Sequence, residues 1–478
     1  MGKARQFAQN SFWLMVSTVS VMAIGAVYRL IIGRVLGPTE FGRYTFILTF
    51  IAYFLVIALF GIRSVIAREI SRNPSAGRSY TIAAYKIRAV TTLLALISCC
   101  VVGYMLHREQ QVTLGIYVLS LSIATVALGE MLEGVLIAFQ RSYFVAAANL
   151  VGNLLKLGFG IYVLKLGYGL IGVLWVFVIT SAVTTGMNWA FVEIVLHSKK
   201  QRGAKPGLVR YVFKESIPFF VLAIAGRVYA KNDILFLALI KGDRVTGLYG
   251  AAYVFVDLLI LASNSITTAA YPMIARLYGV EKPGKVSLAE AYERLHKHML
   301  MFFLPVSVLL AVFGRELLLL LFGRDYIAGY PALRVLIWVP VVEISCLVSG
   351  NFLSATYRQG LEARIAAVMA ALNIAWTVSF IVLFGAIGAA VATLGASGVN
   401  AIVRYIYIEK NIGKINAADA WIKPIACAAV MLAATLMISQ TFWVWRLLTP
   451  LLAYVLAIAL IRPYDAEDRR LVRSVLGR

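Results

Sequence analysis

Nine ionisable side chains fall inside long apolar runs: the cations Arg29, Lys156, Arg227 and Lys231, and the acids Glu130, Glu133, Asp233, Asp257 and Glu343. An ionised group in hydrocarbon is costly, which makes each a candidate functional residue. Arg227 and Lys231 are four residues apart and would share one face of an unbroken helix. A planar guanidinium fork beside an ammonium suits a phosphate or pyrophosphate. The plainer alternative is that they line a watery crevice or snorkel. Arg29 lies outward from the middle of its run, where it too could snorkel. Lys156 sits near the middle of its run. Glu130 and Glu133 are three apart, on neighbouring positions of one face, so a Lys156–glutamate pair is the simple expectation and a protonatable site the sharper one. Asn149 and Asn153, one turn apart, could hydrogen-bond sugar hydroxyls or join helices. Arg29, Arg227, Lys231, Asp233, Asn149 and Asn153 are therefore cavity candidates. Glu130, Glu133, Lys156, Asp257 and Glu343 are candidates for coupling or for structural ion pairs.

The elements that must hold these residues are membrane helices. Of the 478 residues 61% are hydrophobic and 14% charged, against about 45–50% and about 25% in soluble chains. The mean hydropathy is +0.84. The apolar runs predict an all-α, polytopic membrane protein of about fourteen spans. The net charge of +23 would suggest nucleic acid in a soluble protein. Here it follows the positive-inside rule. With a cytoplasmic N-terminus, 31 of the 45 Lys and Arg lie on the cytoplasmic side and 11 on the outer side, so both termini face the cytoplasm. The longest connections, 63–86, 197–214, 275–298 and 409–421, are all cytoplasmic and basic. None can house a catalytic domain and none holds a paired-acid cluster, so the chain does not read as an enzyme. Ser287-Leu-Ala-Glu290 reads as a capping box opening a short amphipathic helix. The four cysteines lie in apolar runs without a metal spacing, and His296 and His298 point to different helix faces. No metal or cofactor is expected.

The two halves of the chain repeat. Ser11, Gly37, Gly42 and Tyr44 match Ser216, Gly242, Gly247 and Tyr249 at a constant offset of 205, and three further matches follow in order at offsets of 208 to 217. The repeat predicts two pseudo-symmetric six-helix bundles, 1–198 and 199–410, related by an axis along the membrane normal. Residues 411–478 add two further spans and a cytoplasmic tail. Paired bundles of this kind enclose a cavity and rock about it.

Leu36-Gly-Pro-Thr-Glu-Phe-Gly-Arg-Tyr44, its repeat partner Lys241-Gly-Asp-Arg-Val-Thr-Gly-Leu-Tyr249 and Leu321-Phe-Gly-Arg-Asp-Tyr326, followed by Tyr330-Pro-Ala-Leu-Arg-Val-Leu336, resemble the polysaccharide-transporter family. That family belongs to the multidrug/oligosaccharidyl-lipid/polysaccharide flippase superfamily. The resemblance covers nearly the whole chain. It implies a flippase that carries polyprenyl-(pyro)phosphate-linked oligosaccharide from the cytoplasmic to the outer leaflet of the cell membrane by alternating access. A lipid-linked oligosaccharide and membrane lipids would be its partners. A proton or sodium ion is the candidate coupling ion, other glycan-assembly membrane proteins are candidate partners, and nucleic acid is not one. The alternative is a cation-coupled multidrug exporter of the same superfamily. A membrane-embedded glycan polymerase or ligase ranks below both, because the outer connections are short. Gly37-Pro38 and Gly42 are read here as a tight turn between helices, not as ligands.

Overall fold

The computed structural model describes residues 2–197, 207–277, 287–356, 358–411, 413–437, 443–461 and 463. Part of the expected connections 197–214 and 275–298, and nearly all of the expected C-terminal tail, lie outside the described residues. Among the described residues every regular element is helical. The elements are α1 (Gly2–Leu59), α2 (Ile62–Arg72), α3 (Gly77–Met105), α4 (Gln110–Ala138), α5 (Ser142–Lys165), α6 (Gly169–His197), α7 (Leu208–Lys241), α8 (Asp243–Leu277), α9 (Leu288–Leu321), α10 (Tyr330–Leu336), α11 (Val339–Ala355), α12 (Gln359–Asn411), α13 (Lys423–Met437) and α14 (Trp443–Ile461).

Ten helical stretches are long and apolar enough to cross a membrane. Two of them exceed 50 residues and are broken by a glycine in a non-helical conformation, Gly37 in α1 and Gly385 in α12. Each is long enough for two crossings. With α7, whose charges interrupt its apolar run, and the shorter apolar Leu448–Ile461, the set agrees with the expected fourteen spans.

The chain packs as two compact units, Met1–Ala251 and Ala252–Arg478. This packing boundary lies within α8, whereas the sequence repeat divides near residue 198. In the first unit α4 and α6 pack side by side, α5 packs on α1 and α6, and α7 packs against α1, α2 and α3. The 63–86 segment is more than a connection. It holds α2, whose buried Ile62, Val65, Ile66, Glu69 and Ile70 recur at three- and four-residue spacing and seal one end of the unit with residues of α3, α4, α6 and α7. There Phe60 stacks on Phe213 and Phe220 of α7 at 4.9 and 4.6 Å, and Arg68 pairs with Glu215 at 2.5 Å.

The two repeat-related turns show the same backbone. Gly37 has φ 75° and ψ 172°; Gly242 has φ 84° and ψ 178°. This region is essentially open to glycine alone. The helices after the turns then meet reciprocally. A Cβ on Gly42 would lie 1.8 Å from the Asp243 carbonyl oxygen, and a Cβ on Gly247 would lie 1.8 Å from that of Pro38. Asp243 and Gly247 are the repeat equivalents of Pro38 and Gly42, so the contact is self-complementary, as a two-fold relation between the turns requires. An ionic cluster surrounds it. Arg43 bonds Glu40 at 2.6 Å, Gln111 at 2.5 Å and Asp243 at 3.3 Å, and also pairs with Glu109. Arg108 pairs with the other Asp243 oxygen.

In the second unit Ser287 and Glu290 form the expected capping box, with bonds of 3.0 and 3.1 Å. The helix it opens is not short: α9 runs unbroken from Leu288 to Leu321, because the amphipathic start passes straight into an apolar run. His296 is fully buried and bonds Ser345 at 2.7 Å and the Ala420 carbonyl at 3.2 Å. The latter lies in a π-helical turn, Ala418–Ile422. α13 packs on α9 and α14, and the Tyr454 hydroxyl donates to the Met301 carbonyl at 2.6 Å.

Replacing Gly42 or Gly247 by Val forces backbone apart, so each change should destabilise by at least the roughly 1–3 kcal/mol typical of overpacking. Thermal unfolding of the detergent-solubilised protein measures this. A wild-type midpoint for Gly42→Val would contradict the close approach.

Candidate functional site

The first unit contains a polar cavity of about 350 Å³ between α1, α4, α5 and α6, lined by Val21, Glu130, Glu133, Asn149, Asn153, Lys156, Phe177, Thr180, Ser181, Thr184, Thr185 and Asn188 among others. Five of the sequence-selected residues therefore meet in one space. α4 supplies the acids, which lie near its C-terminal end. α5 supplies Asn149, Asn153 and Lys156 at intervals of four and three, one stripe of a helix. α6 supplies the hydroxyls and Asn188.

The expected Lys156–glutamate pair does not form. Glu130 is held by Arg88 at 3.4 Å. Glu133 is held by Arg63 at 3.4 Å and accepts from the Asn149 amide at 3.1 Å. Arginines from α3 and α2 thus compensate both acids. Lys156 Nζ stands instead 5.9 Å from the Tyr28 ring centroid and 5.5 Å from that of Phe177, a cation–π arrangement. The charge that acts most on it is another cation, Arg29. Among the described residues no carboxylate lies within ion-pair distance of Lys156.

Two amides complete the cavity. Asn153 donates to the Asn149 carbonyl at 2.8 Å, leaving its own buried oxygen without a partner. Asn188 is 1% exposed, and neither polar atom of its side chain has a protein partner. Buried amides are normally satisfied. The hydroxyls face the other way: Thr180 donates to the Val176 carbonyl at 2.7 Å, Thr184 to that of Thr180 at 2.9 Å and Thr185 to that of Thr125 at 2.7 Å. Their lone pairs remain to accept.

The remaining candidates lie elsewhere. Arg29 is half-buried on α1, within electrostatic reach of Lys156 and Tyr44. Arg227 and Lys231 lie on α7, and the backbone leaves the helix at Lys231 (φ −145°, ψ 21°), so the regular helix that carries Arg227 ends at the position Lys231 occupies. Asp233, 1% exposed, accepts from the Tyr249 hydroxyl and from the Ile234 amide, each at 2.8 Å. Tyr44 and Tyr249 are repeat equivalents, so each repeat sets a tyrosine near a charge on its preceding helix. Asp257 is half-buried on α8. Glu343 on α11 accepts from the Ser397 hydroxyl of α12 at 2.6 Å.

Among the described residues three buried cations escaped sequence reading: Arg88, Arg404 and Lys297, the last 5% exposed on α9. Arg88 is fully buried and also donates to the Ala58 carbonyl. Arg404 is 5% exposed and pairs with Glu362 at 2.5 Å. Arg88 and Arg404 fall at the ends of apolar runs, where a basic residue reads as a headgroup contact; a partner acid on another span was the only available signal. Among the described residues no group of three or more His, Cys, Asp or Glu could hold a metal.

Long apolar helices enclosing charged and polar side chains define a multi-pass membrane protein. The chain belongs to the family described as polysaccharide biosynthesis protein, whose profile matches residues 7–278. A probable low-salt glycan biosynthesis flippase, Agl15, from Haloferax volcanii is 21% identical over 376 residues, 79% of this chain and 78% of that one. Among solved structures, the lipid II flippase MurJ in an inward closed conformation superposes with a TM-score of 0.77 at 14% identity, covering 98% of this chain and all of that one. A multidrug resistance MATE family transporter in an inward-facing conformation gives 0.64 at 16% identity over 83% of this chain and 98% of that one. A MOP superfamily transporter from Pyrococcus furiosus, whose binding pocket is described as of reverse polarity, gives 0.60 at 15% identity over 84% and 96%.

Removing one partner of a buried pair costs about 3–5 kcal/mol. Arg88→Met should therefore destabilise strongly, and adding Glu130→Gln should recover part of the loss. A double-mutant cycle read by thermal unfolding tests the pairing; strictly additive effects would show that the two residues are independent.

Proposed function

We propose that this protein is a flippase that moves polyprenyl-(pyro)phosphate-linked oligosaccharide from the cytoplasmic to the outer leaflet of the cell membrane by alternating access. The observation that carries the reading is the cavity of the first unit. It offers amide, hydroxyl and ammonium groups with unmet hydrogen-bonding capacity, the complement of a glycan. Membership of the polysaccharide biosynthesis family, the relative named as a glycan biosynthesis flippase and the fold shared with a lipid II flippase support it. The excess of Lys and Arg on one side supports cytoplasmic termini. In this reading the repeats 1–198 and 199–410 are the moving bundles and 411–478 an appendage. Arg227, Lys231 and Arg29 meet the phosphates, Asp233 lies beside the first two on α7, and Asn149 and Asn153 meet the sugars, while the prenyl tail stays in lipid. Glu130 and Glu133 serve structural ion pairing, and Lys156, Asp257 and Glu343 serve ion pairing or coupling to a proton or sodium ion. Membrane lipids and other glycan-assembly proteins are its surroundings.

The second reading is a cation-coupled drug exporter, favoured by the fold shared with multidrug transporters. The pairing of Glu130 and Glu133 with arginines weighs against it, because neither acid is left over for a mobile cation.

Deletion of the gene should cause a complete lipid-linked glycan to accumulate facing the cytoplasm, with drug susceptibility unchanged. Arg227→Ala and Lys231→Ala should each lower export in complemented cells while the protein still inserts. Lipid-linked glycan analysis and drug growth inhibition read the two outcomes. Increased drug sensitivity without glycan accumulation would point to the exporter.

A further inference from the structure

We propose that the cavity of the first unit is a subsite for a sugar residue that carries an acidic group, the carboxylate of a uronic acid being the simplest case. The inference rests on the flippase reading and adds the chemical class of glycan.

The donors and acceptors left over in the cavity decide the class. Among the described residues Lys156 is the lining charge that no opposite charge offsets, since Arg88 and Arg63 hold the two acids. An anion at Lys156 would balance it. The rest of the wall asks for something else. The free oxygen of Asn153 and both atoms of Asn188 need partners. The Thr180, Thr184 and Thr185 hydroxyls have spent their protons on carbonyls and can only accept. An acceptor-rich wall beside one ammonium needs a ligand with several O–H donors and one negative charge.

A fully ionised pyrophosphate has acceptors only. It would satisfy Lys156 and leave the oxygens of Asn153 and Asn188 unmet, a cost of about 1–3 kcal/mol for each buried group. A neutral sugar would meet the amides and hydroxyls but not the charge. A sugar bearing a carboxylate meets both. The size permits it: about 350 Å³ corresponds to roughly a dozen waters at about 30 Å³ each, and because bonded atoms pack more closely than waters, one uronic acid fits with room to spare. The rings of Tyr28 and Phe177 beside Lys156 restrict its access to water and strengthen its attraction for an anion.

The test uses the full-length protein in lipid nanodiscs and three probes: the disaccharide of glucuronic acid and N-acetylglucosamine, the same disaccharide with its carboxyl reduced to an alcohol, and inorganic pyrophosphate. Saturation-transfer NMR with competition measures binding. The acidic disaccharide should bind about tenfold more tightly than the neutral one, as one charge-assisted hydrogen bond predicts. Lys156→Gln should remove that preference and Lys156→Arg retain most of it, both with wild-type thermal midpoints. Asn188→Leu should weaken both sugars together. Equal binding of the two sugars by the wild type, or a preference that survives Lys156→Gln, overturns the proposal. So does pyrophosphate binding that depends on Lys156 while neither sugar binds. Export of lipid-linked glycan is measured separately. Loss of export with the sugar preference intact counts against the flippase reading alone, and a missing preference with export intact counts against this one alone.

Discussion

A charge inside hydrocarbon must find an opposite charge, a hydrogen-bond partner or water, and most of the first unit is arranged by that requirement. The acids of α4 could not lie where they do without Arg88 and Arg63. Those arginines are positioned by the break after α1, which frees the Ala58 carbonyl for Arg88 and turns the chain into α2. Asp233 is tolerated because Tyr249 and the backbone of its own helix satisfy both oxygens. Asp243 is tolerated because Arg43 and Arg108 converge on it. Each side-chain pairing adds a polar tie between helices. Lys156 and Asn188 stand out because the protein does not fully answer them.

The class of fold was legible from residues alone because apolar runs long enough for a bilayer have few other uses. The repeat was legible too. Gly37 and Gly242, which composition alone would not distinguish from the other glycines, prove to share one backbone conformation. The pairing of charges was less legible. Lys156 and Glu133 share the right depth, but depth does not say which faces turn together, and the arginines that took the acids sit at span ends where they look unremarkable. The break at Lys231 left no mark in the sequence, since neither glycine nor proline occupies the position. Asn188 lies within an otherwise apolar stretch, and its isolation appears only once its neighbours are known.

Geometry also separates the two kinds of likeness this chain carries. Its backbone is close to that of flippases and of drug transporters alike, so the fold does not choose a cargo. In the function proposed above, the choice lies in side chains facing a cavity of one unit. Two compensated acids, one uncompensated lysine and a wall of acceptors are a chemical description that a different set of residues on the same helices would change without moving the backbone.

The position of α7 has a consequence for biosynthesis. It is the first helix of the second repeat, yet it packs on α1, α2 and α3, with stacked aromatics at one end and the Asp243 ion pairs just beyond the other. The chain leaves the ribosome from its N-terminus, so six helices are inserted before α7 has been made. Until then the faces of α1–α3 that receive it are open to lipid, and Arg43 and Arg108 lack one of their carboxylates. The six-helix repeat expected from the sequence is thus shorter than the packed unit, Met1–Ala251. A fragment ending at the repeat boundary would leave the membrane insertion machinery unfinished, whereas one reaching residue 251 would not.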